Sequence, residues 1–379
     1  MSARVRKRVL LAAGGTGGHM FPAQALAREL LDRGDRVALV TDRRAGGFGP
    51  DLPQVETCYV AAGAVTGRDW LARAKGLLRL GVGYLQARHA VRRLKPDVVV
   101  GFGGYASLPG VMAAAHAGVP VILHEQNAVV GRANRLLVRR ARAVATAFPD
   151  VEGLTPADRD KVVATGNPVR GAVAAVGRKP YAVADSEGPL RLLVTGGSQG
   201  ARVFNALIPQ AVCGLPDDQR RRVEVAQQVR GGDHEEVAAA YDGCGVRPTL
   251  QSFFEDLPER LRQAHLVICR AGASTVAELA AAGRPAILVP YPFAADDHQT
   301  ANARQFAEAG AGWLMPQDSL TPEGLAERLG ALLANPAALA RAASCARGFG
   351  FDDSAKRLAD LVDAFGRHDG DSDRKEAAA

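Results

Sequence analysis

Residues 9–19 read VLLAAGGTGGH and residues 192–201 read LLVTGGSQGA. Each is an apolar run of strand length that ends in a glycine cluster, and a stretch of helical character follows each. Glycine there allows a tight bend and lets backbone N–H groups approach a ligand, and the start of the next helix favours an anion. One such arrangement is weak evidence. Two, about half a chain apart, predict an α/β protein of two Rossmann-like domains whose parallel sheets face a central cleft. That architecture suits an enzyme that uses sugar nucleotides.

Strand candidates continue outward from the first run at Arg8–Ala13, Arg36–Thr41, Asp97–Gly101, Val119–His124 and Ala143–Thr146. Helical stretches such as Pro22–Arg33, Leu85–Leu94 and Gly110–Ala117 lie between them. The pattern recurs over Leu190–Thr195, Val223–Gln228, Thr249–Phe253, Leu266–Cys269, Ala286–Pro290 and Gly312–Met315. Between the two sets, ATGNPVRGAV gathers Gly, Asn and Pro near residue 166. The expected division is a first domain at 1–166 and a second at 167–350. A last helix, about 353–366, is expected to pack back on the first domain, and the polar tail 367–379 to be disordered.

The 379 residues are 47% hydrophobic, enough for a core in each half. Charge is uneven. Residues 1–165 hold 24 basic against 13 acidic side chains, a net of +11, and the remainder holds 23 against 27, a net of −4. A basic first half implies an anionic partner: nucleic acid, anionic lipid or a phosphorylated substrate. The five cysteines are scattered, without C-x-x-C, which argues against a disulfide framework or a zinc site. The start MSARVRKRVLLAA mimics a signal peptide, but its apolar run is only Val9–Ala13. Residues 98–123 lack Lys, Arg, Asp and Glu yet are broken by glycines and prolines, so no membrane span is expected.

Several motifs carry chemistry. GGTGGH, 14–19, departs from the dinucleotide fingerprint because Met20 stands where a glycine or alanine is needed, although Asp42 ends the second strand candidate. His19 follows the glycines and suits a phosphate contact, a base, or a plain helix cap. GFGGYAS, 101–107, is a second glycine loop on the same sheet edge. HEQN, 124–127, offers Glu125, Gln126 and Asn127 to sugar hydroxyls, with a helix N-cap by Asn127 as the plainer reading. In RAGASTVAE, Thr275-x-x-Glu278 fits a capping box, and Glu278 equally fits a ribose acceptor. DDHQTAN, 296–302, suits a metal, sugar contacts or a surface loop. Residues 68–95 mix leucines and Trp70 with eight basic side chains and Asp69 alone acidic, a pattern of anionic membrane surfaces or of a core helix with a basic face.

In order, GGTGGHMFPA, GFGGYAS, HEQN, GNPVR, GGSQGA, RAGASTVAE and DDHQTANA resemble the MurG family of bacterial peptidoglycan glycosyltransferases. The resemblance runs from about residue 8 to 303. It implies a GT-B fold and inverting transfer of N-acetylglucosamine (GlcNAc) from UDP-GlcNAc to the muramoyl C4 hydroxyl of lipid I, giving lipid II for cell-wall synthesis. It implies no cofactor and no bound metal. Carried over, it puts uracil on the Phe254 backbone beside Phe253, and the nucleotide along Ala273, Ser274, Thr275, Val276, Ala277 and Glu278, with Glu278 on the ribose. Ser198 and Arg170 face the pyrophosphate, and Gln299 and His298 hold the GlcNAc, with Asn127 reaching from the other domain. Gly14, Gly15, Thr16, Gly17, Gly18, Gly103, Gly104 and Tyr105 take the acceptor pyrophosphate. The segment 68–95 overlaps the family's membrane-facing patch, which implies a peripheral enzyme at the cytoplasmic face of the membrane. No nucleic-acid partner is implied; contacts with other cell-wall synthesis proteins are.

An inverting transfer needs a base at the attacking hydroxyl and a way to stabilise departing UDP. His19 is the first candidate for the base and Glu125 the second. Asp158-Arg-Asp160 matches the metal-binding Asp-x-Asp of other glycosyltransferases but lies in a polar stretch near the domain boundary. The competing functions are another GT-B enzyme, either a UDP-GlcNAc 2-epimerase or a lipid glycosyltransferase, and an NADP-dependent oxidoreductase suggested by Asp42-Arg43-Arg44.

Overall fold

The computed structural model describes residues 6–15, 17–63, 70–183, 185, 187–197, 200–351 and 353–365. They form two compact units, one reaching Pro168 and resuming at Asp353, the other spanning Val169–Asp352. Thr16, Arg68, Asp69, Ser198 and the tail expected at 367–379 lie outside the described residues.

The first unit is built on seven parallel strands: β1 (Arg8–Ala12), β2 (Arg36–Thr41), β3 (Glu56–Tyr59), β4 (Val98–Gly101), β5 (Val121–Glu125), β6 (Ala143–Thr146) and β7 (Val162–Ala164). Their order is β3-β2-β1-β4-β5-β6-β7. β1 is central, paired with β2 through Val9↔Val37 and with β4 through Val9↔Val98. Its Val9–Ala12 are buried, as a strand covered on both faces requires. The order reverses between β1 and β4, so their carboxyl ends open a crevice where ligands bind in open α/β sheets. Both glycine loops of this unit stand there.

The second unit repeats the plan with β8 (Leu190–Thr195), β9 (Val223–Gln228), β10 (Thr249–Gln251), β11 (Leu266–Cys269), β12 (Ala286–Leu288) and β13 (Gly312–Leu314), in the order β10-β9-β8-β11-β12-β13. Its reversal lies between β8 and β11. The helix Ser354–Phe365 puts Leu358, Ala359, Leu361 and Val362 into the core of the first unit. Arg33 fastens it through Asp360 at 2.6 Å and Asp363 at 3.1 Å.

Several local expectations need correction. The first helix is Gly17–Asp32 and contains Pro22 rather than starting at it. Strands β3 and β7 were not foreseen; both are short edge strands, β3 without an apolar run and β7 with only Val162–Ala164, largely exposed. The helix ending at Leu94 begins at Trp70. Among its described side chains and glycines, the inward positions are Gly76, Gly83, Ala87, Ala90 and Val91, and a Cβ on Gly83 would lie 1.9 Å from the Ala61 carbonyl oxygen. Small residues let it pack closely, while Leu77, Leu78 and Leu85 stay 58%, 71% and 64% exposed. Cys213 and Cys244 form a disulfide that the spacing did not suggest: the ends of the helices Val203–Cys213 and His234–Asp242 bring their Cα atoms within 5.4 Å.

Candidate active site

In the first unit the two glycine loops touch. A Cβ on Gly14 would fall 2.3 Å from Ala106 Cβ, so only glycine lets the loop after β1 lie against the loop after β4. Gly15, Gly103 and Gly104 have φ of 73°, 80° and 75°, the left-handed region that favours glycine. The second loop leads into the helix Ser107–His116, with Ser107 Oγ donating to Gly104 O at 2.9 Å. Two loops and two helix N-termini therefore meet at the switch point, a setting for an anion. Tyr105 is half-buried against the neighbouring core. Beside the first loop, a cavity of about 370 Å³ is lined by Phe21, Gln24, Arg44 and Phe48, among others. Arg44 pairs there with Asp42.

His19, third residue of the first helix, is half-buried under the second loop: a Cβ on Gly104 would meet its Cδ2 at 3.2 Å. Its Nδ1 lies 3.2 Å from Gln126 Oε1. Glu125, at the end of β5, is buried and accepts from Asn127 N at 3.0 Å, Gly131 N at 2.9 Å and Asn134 Nδ2 at 2.8 Å. Both its oxygens are thus spent on holding the loop 126–131. Gln126 is turned inward rather than toward sugar hydroxyls, with Nε2 on Phe102 O at 2.9 Å. Asn134, not singled out from the sequence, keeps a buried Oδ1 without a partner beside Gly103.

In the second unit, Gln228 at the end of β9 organises the glycine loop after β8. Its Oε1 accepts from Gly196 N and Thr195 Oγ1, both at 3.0 Å, and its Nε2 reaches Ser252 O at 3.1 Å. Gly197 and Gly200 take φ of 72° and 76°. Next to this loop starts the helix Ala273–Ala282, capped by Gly272. Thr275 therefore lies inside the helix and does not cap it, so the capping-box reading of Thr275 and Glu278 fails. Glu278 instead meets Arg170, whose Nε and Nη2 lie 3.0 and 2.8 Å from the same Oε1. Burial pushes the Glu278 carboxyl above its ordinary range, and Arg170 opposes that shift. Ser274, in the first turn, has a buried hydroxyl with no partner; Ala273 and Ala277 are half-buried, and Val276 packs into the core.

Gln299 Oε1 accepts from Ala271 N at 3.2 Å and Tyr291 N at 2.9 Å. That orients its amide, leaving Nε2 without a partner among the described residues. His298 donates from Nδ1 to Ala295 O at 2.7 Å. The turn before it holds Asp296 and Asp297 at φ of 53° and 50°, a conformation non-glycine residues rarely adopt. Phe253 is exposed, whereas the Phe254 ring is buried with the Arg260 guanidinium 4.4 Å from its centre. Among the described residues no three His, Cys, Asp or Glu side chains cluster as metal ligands, and the loop 296–302 is no exception. Asp158 of the Asp-x-Asp match accepts from Thr155 Oγ1 at 2.6 Å.

Residues 9–146 match the glycosyltransferase family 28 N-terminal domain and residues 191–358 the family's C-terminal domain. The UDP-N-acetylglucosamine--N-acetylmuramyl-(pentapeptide) pyrophosphoryl-undecaprenol N-acetylglucosamine transferase of Paramagnetospirillum magneticum is 55% identical, over 93% of this chain and 95% of its own. The crystal structure of Acinetobacter baumannii MurG superposes with a TM-score of 0.76 at 32% identity, covering 94% of this chain and 99% of that one. A UDP-GlcNAc 2-epimerase from Neisseria meningitidis, bound to UDP-GlcNAc, shares the fold with a TM-score of 0.66 at 14% identity, covering 94% of this chain and 99% of that one. The chain belongs to glycosyltransferase family 28 and has the GT-B fold.

Proposed function

We propose that this family 28 chain moves GlcNAc from UDP-GlcNAc to the C4 hydroxyl of N-acetylmuramic acid in lipid I, giving lipid II for peptidoglycan synthesis. The observation that carries this reading is the 55% identity over 93% of the chain with a transferase of that name. The epimerase likeness, at 14% identity, bears on the fold alone.

The second unit holds the donor. The start of the helix Ala273–Ala282, the amides of the loop after β8 and Arg170 meet the pyrophosphate, and the Ser274 hydroxyl gains its missing partner there. Glu278 accepts the ribose hydroxyls and Arg170 bridges it to the phosphates. Gln299 donates its Nε2 to a GlcNAc hydroxyl, with His298 beside it, and the Phe254 backbone and the exposed Phe253 ring bound the uracil. The first unit holds the acceptor pyrophosphate on its two glycine loops.

Transfer is a single in-line displacement with inversion. The C4 oxygen bonds the anomeric carbon as the bond to UDP breaks; His19 Nε2 takes the hydroxyl proton, and UDP leaves with the electron pair. Arg170 and the helix N-terminus carry the charge that develops on UDP, so the step needs no metal. Glu125, its oxygens occupied by N–H donors, shapes the loop rather than accepting the proton. The helix Trp70–Leu94 presents exposed leucines flanked by Lys75, Arg79 and Arg88, which supports peripheral binding to an anionic membrane surface. Among the described residues no helix is long and apolar enough to cross a membrane.

The test is transfer to a lipid I analogue in excess EDTA, with the anomeric configuration of the product read by proton NMR. A β-linked product at undiminished rate is expected. An α-linkage, or loss of activity restored by a divalent cation, overturns the mechanism.

A further inference from the structure

The side chains beneath His19 decide which of its ring nitrogens carries the proton. Phe102 O can only accept, and it lies 2.9 Å from one end of the Gln126 amide, so that end is the NH₂. The same NH₂ lies 3.1 Å from His124 Nδ1. The other His124 nitrogen, Nε2, is 3.0 Å from the Gly166 carbonyl oxygen, a second group that can only accept. His124 therefore carries its proton on Nε2 and offers Nδ1 as an acceptor to Gln126. With its NH₂ committed twice, Gln126 turns Oε1 to His19 Nδ1 at 3.2 Å, and the contact is a hydrogen bond only if His19 holds its proton on Nδ1.

We propose that Gln126 and His124 are positioning residues that hold His19 as its Nδ1–H tautomer and so aim an unprotonated Nε2 at the acceptor hydroxyl. The proposal rests on the reading of His19 as the base. The two carbonyls that fix the series belong to the backbone at the ends of β4 and β7, so the sheet itself sets the tautomer. Gln126 and His124 are buried, 2% and 0% exposed, which leaves bulk water no access to replace either link. Burial also holds the His124 pKa down to about 4, so the ring stays neutral near pH 7 and its Nδ1 remains an acceptor.

The test uses the full chain labelled with ¹⁵N-histidine, whose ring nitrogen shifts tell the two neutral tautomers apart. In the wild type, His19 is expected as Nδ1–H and His124 as Nε2–H. Gln126→Met keeps the volume and removes both polar ends. It should move His19 toward Nε2–H and lower kcat by about 10- to 100-fold, with KM for UDP-GlcNAc and for a lipid I analogue within about threefold. A wild-type His19 found as Nε2–H overturns the proposal, and so does Gln126→Met with unchanged tautomer and kcat. Should that variant not fold, the wild-type spectrum decides alone. Near-normal turnover by His19→Ala instead overturns the base assignment, whatever the spectrum shows, so the two failures are told apart.

Discussion

Gly14→Ala is expected to disable the acceptor site without unfolding the enzyme. The added Cβ would sit 2.3 Å from Ala106 Cβ and 3.2 Å from Ala106 Cα and N. Carbon atoms rest about 3.5–4.0 Å apart, so the loops after β1 and β4 must separate by at least about 1.2 Å. Overpacking of this kind costs about 1–3 kcal/mol of stability, which a domain of this size tolerates. A shift of about 1 Å at a reacting site, by contrast, costs on the order of 100-fold in rate. In steady-state assays, kcat/KM for a lipid I analogue should fall about 100-fold, while affinity for UDP, measured by calorimetry, stays the same. Ala106→Gly removes the colliding methyl and sits at a helix N-cap, where glycine is accepted. The double variant Gly14→Ala/Ala106→Gly should therefore recover most of the activity. A fully active Gly14→Ala, or a folded double variant as poor as the single one, would refute the claim that contact between these loops sets the acceptor geometry.

Four further outcomes follow from the structure. Glu278→Gln should raise KM for UDP-GlcNAc about 10- to 100-fold with a smaller change in kcat, because it removes the charge that faces Arg170 and is proposed to hold the ribose. Burial raises the Glu278 pKa, so the carboxylate protonates above pH 4.5; donor affinity by calorimetry should fall as pH drops toward that value, and Glu278→Gln should flatten the dependence. His124, held near 4 against 6.5 when unfolded, contributes stability that is full above pH 6.5 and lost as pH falls to 4, on the order of 3 kcal/mol; denaturant titrations of His124→Asn should show a shallower loss over that range. Leu78→Glu/Leu85→Glu should weaken sedimentation with anionic vesicles at least about 10-fold and leave transfer to a water-soluble acceptor unchanged.

The parts of the fold that were legible are those where one residue type settles the conformation. The continuous apolar runs of β1 and β8 and the glycines after them mark both switch points, because a strand covered on two faces has few alternatives. Edge strands β3 and β7 are too short for such a signal, four and three residues long and half-exposed, although β7 is the apolar Val162–Ala164. Of the helix Trp70–Leu94 only Leu85–Leu94 was expected as helix; Gly76 and Gly83 lie before that stretch, yet both face inward, and at Gly83 the close approach of the Ala61 carbonyl leaves no room for a side chain. Contacts across long separations were illegible for a different reason. Arg170 and Glu278 stand 108 residues apart, and each had a plausible role alone; only the fold shows that they share one hydrogen-bonding oxygen. Glu125 and Gln126 looked alike as sugar ligands, because alternation along β5 says which face a side chain takes but not whether backbone groups already claim it. The Cys213–Cys244 bridge arises from two helix ends meeting across 31 residues, with no spacing motif to announce it.

The central claim is the transfer itself, and the direct measurement follows radiolabelled GlcNAc from UDP-GlcNAc into a lipid I analogue, with a control lacking acceptor. Label is expected in a lipid-linked disaccharide, dependent on acceptor and reduced at least about 100-fold by His19→Ala. Clear binding of UDP-GlcNAc with no acceptor-dependent product, or release of free or epimerised sugar in its place, would contradict it.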